Sequence, residues 1–216
     1  MLIADVFVYL DDVQYTKKDW RNTNKLKSPN GIKKVSVPVS NASRTININE
    51  ALISYNSSWE DKFLNQLKEW YRKAEFYNDI IDILTPIIKN KYEKLVDLNY
   101  NINNAIASYL SITTPCYLSS SITKKTSNKN LRILEICKHF PKVQLLYDGK
   151  SASNFLDTEL FMQNGIKVIF QNYLHTPYRQ LWGEFEPYMS IIDLIMNNSQ
   201  SNSKDILSSS PLPKEL

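Results

Sequence analysis

The residues best suited to chemistry follow a short apolar stretch near the start of the chain. Val6–Leu10 is rich in valine and aromatic residues, which is typical of a buried β-strand. Polar and aromatic groups follow at once, and the candidate ligand-binding side chains are Asp11, Asp12, Gln14, Tyr15, Lys17, Trp20, Asn22 and Asn24. In open α/β sheets, such groups meet ligands at the carboxyl ends of the strands. The alternative is an ordinary polar surface loop.

Asp11 and Asp12 are adjacent carboxylates directly after this predicted strand. Adjacent strand residues point to opposite faces, so at most one of them is expected to face a given ligand. One carboxylate together with substrate oxygens could hold Mg²⁺. The alternative is a pair of ordinary loop acids.

Trp20, Asn22 and Asn24 combine a planar ring with two amides, and the Arg21 guanidinium lies between them in sequence. A ring supplies apolar contact, while amides and a guanidinium fix hydroxyls or phosphates. This combination suits a sugar or a nucleotide. The alternative is a tryptophan that packs on the sheet among solvated neighbours.

His175 is one of two histidines, and it is close in sequence to Tyr178 and Gln180. A histidine of near-neutral pKa can act as a general base toward an amine or a hydroxyl. The alternative is a hydrogen-bonded packing residue. The other histidine, His139, lies at a predicted helix end, where a cation favours the helix dipole, so we expect a structural role for it.

Ser190 and Asp193, together with His175, supply the residue types of a Ser-His-Asp triad. No nucleophile elbow surrounds the serine. We therefore interpret Ser190 as the N-cap and Asp193 as part of the first turn of a helix.

The composition excludes several classes of function. The 216 residues carry a net charge of +4 without a long basic stripe, so no nucleic-acid partner is expected. Only 4 glycines are present, and none forms a phosphate-binding loop. The two cysteines have neither metal-ligand spacing nor disulfide density, which favours a reducing cytoplasm. Because there is no apolar segment of 18 residues and no signal-peptide pattern, we expect a soluble cytoplasmic protein without membrane insertion.

Hydrophobic periodicity predicts an α/β fold. The predicted strands are 5–10, 32–39, 45–53, 115–119, 143–147 and 166–171, and 11–31 is predicted to be a polar loop that ends in a turn at 28–31. Three helices in series form a block at 58–111, in which Pro86 kinks or restarts the second, and further helices are predicted at 131–137, 156–164 and 190–197.

These elements predict a mixed or mostly parallel sheet flanked by helices, with the helical block at 58–111 as an insertion. We expect a single domain over 1–207 and a flexible tail over 208–216. The Ser- and Asn-rich segment after Asn198 is expected to fray.

Motifs along nearly the whole chain, about residues 4–207, resemble the WbqC-like protein family. They are Asp11-Asp-Val-Gln-Tyr-x-Lys-x-x-Trp20-x-Asn-x-Asn24, Tyr71-x-Lys-Ala-x-Phe-Tyr77, Phe155-Leu-Asp-x-x-x-Phe161, His175-x-Pro-Tyr-x-Gln180 and Phe185-x-Pro-x-x-Ser-Ile-Ile-Asp-Leu-Ile-x-Asn197. Members are typically encoded among bacterial surface-polysaccharide genes, including those for the O-antigen of lipopolysaccharide.

The resemblance implies a transferase that moves an acyl or aminoacyl group, such as glycine, onto a sugar or nucleotide-sugar. Under this hypothesis His175 and Asp12 are catalytic, and Asp11 and Lys17 contact phosphate or metal. Trp20, Asn22 and Asn24 hold the sugar or nucleotide, Tyr178 and Gln180 position the acceptor, and Gln14, Tyr15 and Asp193 complete the substrate site.

The sequence departs from the family at its start. Members usually begin with a strand and a His-Gln-Pro-type loop ahead of the position of Ala4, whereas Met1 stands just upstream here. That loop is similar to the nucleotide-binding loop of adenylating enzymes such as pantoate–β-alanine ligase, which implies ATP and Mg²⁺ as candidate cofactors. The family arginine after Asn22 is also replaced, by Thr23.

Without this strand and loop, the chain is expected to lack part of the ATP cradle. Loss of a strand would expose a sheet edge and favour a homo-oligomer. The alternative function is a truncated inactive copy or a non-catalytic module that binds a carbohydrate or a partner.

Overall fold

A computed structural model describes residues 1–17 and 19–211, and these residues divide into two units. Unit 1 comprises Met1–Leu10, Thr114–Leu174 and residues 210–211, and unit 2 comprises Asp11–Thr113 and His175–Ser209. The prediction of one domain over 1–207 stays a prediction. Residues 212–216 of the predicted tail lie outside the described residues.

The described residues form six strands and seven α-helices. The strands are β1 (Phe7–Tyr9), β2 (Thr23–Ser28), β3 (Gly31–Ser36), β4 (Cys116–Leu118), β5 (Leu145–Asp148) and β6 (Lys167–Phe170). The α-helices are α1 (Trp59–Tyr71), α2 (Tyr77–Lys89), α3 (Leu95–Tyr109), α4 (Lys129–His139), α5 (Thr158–Gln163), α6 (Ile191–Asn197) and α7 (Gln200–Ser208). The predicted mixed α/β class, with helices flanking strands, is confirmed.

Unit 1 contains two parallel strand pairs. β1 pairs with β4, and β5 pairs with β6. Helices α4 and α5 bury Leu134 and Phe161 in a core that also contains Ile166. Strands β5 and β6 and helix α5 therefore form where the sequence shows short apolar runs.

Unit 2 begins with an antiparallel hairpin of β2 and β3, in which Thr23 pairs with Ser36 and Ser28 with Gly31. Gly31 has a φ of 84°, which a glycine adopts without strain in a tight turn. The predicted turn at 28–31 is thus confirmed, but the prediction of a loop over all of 11–31 is wrong. β2 escapes prediction because polar residues surround its one buried aliphatic side chain, Leu26.

The predicted strand at 45–53 is also wrong. Ile48–Glu50 forms a short 3₁₀ turn instead. The Asn47 backbone N–H donates to the Glu50 carboxylate at 2.6 Å, and this local bond competes with strand pairing. Among the described residues, the β pairing of this segment consists of isolated bridges, such as the one between Val39 and Ile53.

Helices α1, α2 and α3 confirm the predicted helical block. Their apolar faces bury Leu67, Leu84 and Ile106 together with Ile195 of α6. Truncation of one such side chain to alanine typically costs about 2–5 kcal/mol. Pro86 lies inside α2, which continues to Lys89, so a restart of the helix does not occur.

Helix α7 overturns the expected fraying after Asn198. The Ser199 hydroxyl accepts a hydrogen bond from the Asn202 N–H at 3.2 Å and caps the helix, while Ser203 is fully buried. Across residues 1–17 and 19–211, none of the helices has the length and apolar character that a bilayer-spanning helix needs.

Candidate functional site

Unit 2 contains a cavity of about 210 Å³ between the β2–β3 hairpin and helices α1 and α3. Its wall combines amide, aromatic and aliphatic side chains with hydroxyls and the Arg21 guanidinium. Among the lining residues are Trp20, Asn22, Asn24, Trp59, Phe63, Asn99, Ile102 and Asn103. Small-molecule sites commonly pair an apolar lining with a few polar groups that fix orientation. The composition of the wall therefore suits a ligand with both apolar faces and hydroxyls.

Three predicted site residues meet at this cavity. Trp20 is 64% exposed, and the Lys25 ammonium lies 5.5 Å from its ring centroid. Asn22 donates from Nδ2 to the Val37 carbonyl at 3.0 Å, and Asn24 Oδ1 accepts from the Lys25 N–H at 2.8 Å. Asn22 and Asn24 thus brace the hairpin, and the Trp20 ring is open for stacking.

Sequence analysis missed Asn99 and Asn103 on α3. Asn99 Nδ2 donates to the Arg21 carbonyl at 2.7 Å and ties the helix to the loop before β2. Asn103 is exposed at the cavity wall. Asn99 and Asn103 are four residues apart and lie on the same helix face as Ile102. This pair of amides within an apolar stripe is the sequence feature that could have indicated a binding site on α3.

Trp59, the first residue of α1, was not among the predicted site residues. Its side chain is 5% exposed and lines the cavity. Its indole Nε1–H is buried and has no hydrogen-bond partner among the described residues. Buried indole N–H groups usually find an acceptor.

A buried hydrogen-bond network surrounds Asp193, which has no exposed surface. One carboxylate oxygen accepts from the Tyr71 hydroxyl at 2.7 Å. The other accepts from the Tyr178 hydroxyl and from Gln180 Nε2, both at 2.8 Å. Burial raises the pKa of Asp193, and these three hydrogen bonds oppose the rise. Burial, followed by the nearby Asp193 charge, raises the pKa of Tyr71.

Lys27 completes the network and is 3% exposed. Its ammonium donates to Gln180 Oε1 at 3.0 Å and to the Glu184 carbonyl. Its backbone N–H donates to the Tyr71 hydroxyl at 2.8 Å. Gln180 Oε1 also accepts from the Glu186 N–H at 2.8 Å. The hairpin, α1, the loop after His175 and α6 are therefore held together by one set of polar contacts.

A model of the WbqC-like protein family matches residues 1–205 of the chain. The chain belongs to this family. It is 35% identical over 197 residues to "Uncharacterized protein Rv1507c" from Mycobacterium tuberculosis, and the alignment covers 90% of this chain and 84% of the relative. No solved structure matches the chain.

In this WbqC-like protein, the predicted cap at Ser190 is confirmed, because its hydroxyl accepts from the Ile192 N–H at 3.3 Å. Asp193 lies in the first turn of α6, as predicted. Its carboxylate accepts from Tyr71, Tyr178 and Gln180, so it positions these side chains. Direct ligand contact by Tyr178, Gln180 and Asp193 stays a prediction.

His175 lies in the loop ahead of α6 and is half-buried. Its ring packs edge-on against Tyr188, with 4.3 Å between the ring centroids. Burial lowers the pKa of His175 below 6.5, so the imidazole is neutral at pH 7. Neither His175 nor Asp12 is among the described residues that line the cavity. Their predicted catalytic roles stay predictions.

The remaining predicted residues lie away from the cavity wall within the part of the chain that the structure describes. Asp11 and Asp12 are 2% and 7% exposed. Gln14 donates from Nε2 to the Arg44 carbonyl at 2.6 Å, Tyr15 is buried in a core cluster, and Lys17 is exposed. Through these contacts Gln14 and Tyr15 hold residues 11–17 against the rest of unit 2.

Proposed function

We propose that this protein is a transferase that binds a sugar or nucleotide-sugar in the cavity of unit 2. The observation that carries the proposal is the cavity wall, where the amides of Asn24 and Asn103 accompany the rings of Trp20 and Trp59. Sugars offer hydroxyls for amides and apolar ring faces for aromatic side chains. Membership of the WbqC-like family supports a role in bacterial surface-polysaccharide synthesis, because family members are typically encoded among genes for these polysaccharides.

The proposed reaction is transfer of an acyl or aminoacyl group, such as glycyl, from an activated carboxylate to the sugar. A sugar amine or hydroxyl bonds to the acyl carbon, and the bond between that carbon and its leaving group breaks. His175, neutral at pH 7, accepts the proton that the nucleophile loses. Asp193 is proposed to hold Tyr178 and Gln180 in place for the acceptor.

ATP and Mg²⁺ are candidate co-reactants that would activate the carboxylate. Asp11 and Asp12 are both buried, so they do not form an open carboxylate pair that fits Mg²⁺. Among the residues that the structure describes, no three His, Cys, Asp or Glu side chains form a group able to hold a metal ion. No step of the proposed reaction is therefore routed through a bound metal.

Mass spectrometry tests the transferase activity directly. The protein is incubated with uridine-diphosphate sugars, glycine, ATP and Mg²⁺, and the sugar fraction is examined for the mass increase of one glycyl group. The same assay with acetyl and formyl donors covers other acyl groups. Enzyme-dependent acylation of a sugar would support the proposal, and sugar binding without any acylation would contradict the transfer step.

A non-catalytic carbohydrate-binding module is the second candidate function. It is favoured by the fact that His175 is not among the described cavity-lining residues. The two functions differ in one measurable respect, because both proteins would bind sugars but a module would never turn them over.

A further inference from the structure

A second cavity of about 380 Å³ adjoins the first in unit 2. The two share four lining residues, which are Val35, Ser36, Trp59 and Phe63. The second cavity adds Lys34, Ser57, Lys62 and Gln66 to its wall. The second cavity thus has two lysines in its wall, whereas the one cation that lines the first cavity among the described residues is Arg21, which pairs with Asp19.

The strand register places Lys34 of β3 directly opposite Lys25 of β2 on one face of the hairpin. Like charges in directly opposed positions destabilise a strand pair. Lys25 does not line the second cavity, and its ammonium lies 5.5 Å from the Trp20 ring centroid. The cations of the cavity wall are therefore Lys34 and Lys62.

The N-terminus of α1 lies at the same wall, since Ser57 and Trp59 both line the cavity. Ser58, the N-cap, has a φ of 41°, and its side chain forms no capping hydrogen bond. In the first turn Asp61 pairs with Lys89, and one oxygen of the buried Glu60 carboxylate lies 3.8 Å from the Lys91 ammonium, while Glu60 Oε2 has no hydrogen-bond partner among the described residues. The positive end of the 13-residue helix is thus shared with two carboxylates, and it adds to the charge of Lys34 and Lys62 at this wall without being a site by itself.

Trp59 supplies an independent observation that points to a ligand. Its side chain is 95% buried, lines both cavities and carries an N–H without a hydrogen-bond partner among the described residues. Such a donor is unfavourable in the free protein and favourable once an acceptor oxygen reaches it.

We propose that the second cavity is a phosphate subsite, which binds the phosphate groups of a sugar phosphate or nucleotide-sugar whose sugar occupies the first cavity. This inference rests on the proposed function and narrows its substrate to a phosphate-bearing sugar. Lys34 and Lys62 neutralise the phosphate charge, and the Trp59 N–H donates to an oxygen at the junction of the two cavities. The two volumes together fall in the range of about 300–1,000 Å³ that is usual for ligand sites.

Pyrophosphate is the direct probe of this subsite, because its binding does not depend on the identity of the sugar. Titration calorimetry on the full chain is expected to show binding that weakens about 10- to 100-fold in K34A/K62A, since two charge-assisted contacts are lost. The matched control K33A/K68A removes the same net charge from exposed lysines that line neither cavity, and its Kd is expected to stay within about twofold of wild type.

Absence of pyrophosphate binding to the wild type, or equal weakening in the two double variants, would overturn the phosphate subsite. Free-sugar binding separates this inference from the proposed function. If free sugars bind and pyrophosphate does not, only the subsite is wrong. If pyrophosphate binds in a Lys34- and Lys62-dependent way and no free or phosphorylated sugar binds, the subsite stands and the proposed function fails.

Trp59→Phe removes the indole N–H and keeps an aromatic ring. The Kd for pyrophosphate or for a uridine-diphosphate sugar is expected to rise about 5- to 10-fold, because the donor to the ligand oxygen is lost. The smaller ring should also lower the thermal midpoint, because Trp59 packs in a core cluster. Trp182→Phe is the control, since it breaks the Trp182 Nε1 bond to the Trp70 carbonyl at 2.8 Å. That variant should lower the thermal midpoint and leave the Kd unchanged. If Trp59→Phe binds pyrophosphate and the uridine-diphosphate sugar with wild-type affinity, Trp59 does not contact the phosphate in the proposed subsite.

Discussion

Replacing Asp193 with alanine is expected to lower the free energy of unfolding by about 3 kcal/mol or more. The substitution leaves the Tyr71 hydroxyl, the Tyr178 hydroxyl and the Gln180 amide without their acceptor in a buried site. It also removes the favourable charge interaction by which Lys27 lowers the pKa of Asp193. Urea denaturation measures the loss, and the thermal midpoint should fall by about 6–12 °C for a chain of this size.

Asp205→Ala is the matched control for this prediction, because Asp205 is exposed on α7. Its effect should stay within about 0.5 kcal/mol. If Asp193→Ala lowers the free energy of unfolding by less than about 1 kcal/mol, the hydrogen-bond network around Asp193 does not stabilise unit 2.

The raised pKa of Asp193 also sets the sign of a pH effect. Because the folded pKa lies above the unfolded value of 3.8, the native state binds more protons across the interval between the two values. The contribution of Asp193 to the free energy of unfolding therefore falls as the pH rises from about 4 through the folded pKa. This descending component should be absent from the stability profile of Asp193→Ala.

Replacing His175 with alanine is expected to lower kcat for acyl transfer by about 10²- to 10⁴-fold, which is the usual contribution of a general base. His175 is half-buried and contacts Tyr188 by its ring edge, so the variant should remain folded. His139→Ala is the control, because it alters the other histidine at the end of α4. Its kcat should match wild type.

The pH profile separates a general base from a packing residue at position 175. Burial lowers the pKa of His175, so the wild-type rate should be constant at neutral pH and should fall only below pH 6.5. That fall should be missing from the residual rate of His175→Ala. Unchanged turnover in His175→Ala would rule out this assignment and favour another base.

The sequence predicts the helical block well because long amphipathic periods leave little ambiguity. Leu67, Leu84 and Ile106 each belong to the apolar stripe of a different helix, and each is buried in the core where its stripe predicts. The β2–β3 hairpin was only half predicted. β3 alternates visibly, whereas β2 is polar along most of its length and is held by pairing and by its contacts with α1 and α6.

The candidate site was predicted in part. Trp20, Asn22 and Asn24 reach the cavity because the hairpin presents them there, although the sequence suggested the end of a parallel strand. Asn99 and Asn103 were missed because two amides on one helix face do not show which distant segment packs against that face, and here it is the loop before β2. Asp193 was assigned to ligand contact, and its burial beneath Tyr178 and Gln180 depends on tertiary packing that local sequence does not encode.

The proposed sugar site is the cavity between the β2–β3 hairpin and α3. Asn103→Ala tests it most directly, because Asn103 is exposed at the cavity wall and lies in the middle of a stable helix. Asn101→Ala is the matched control, since Asn101 is an exposed amide on the same helix that does not line the cavity among the described residues.

The measurement is the Kd of a uridine-diphosphate sugar for the wild type and both variants, by titration calorimetry at fixed ionic strength. We predict that Asn103→Ala weakens binding about 5- to 10-fold through the loss of one amide hydrogen bond, and that Asn101→Ala binds as wild type does. Equal affinities in all three proteins would contradict the proposed sugar site, and so would the absence of binding of any uridine-diphosphate sugar to the wild type.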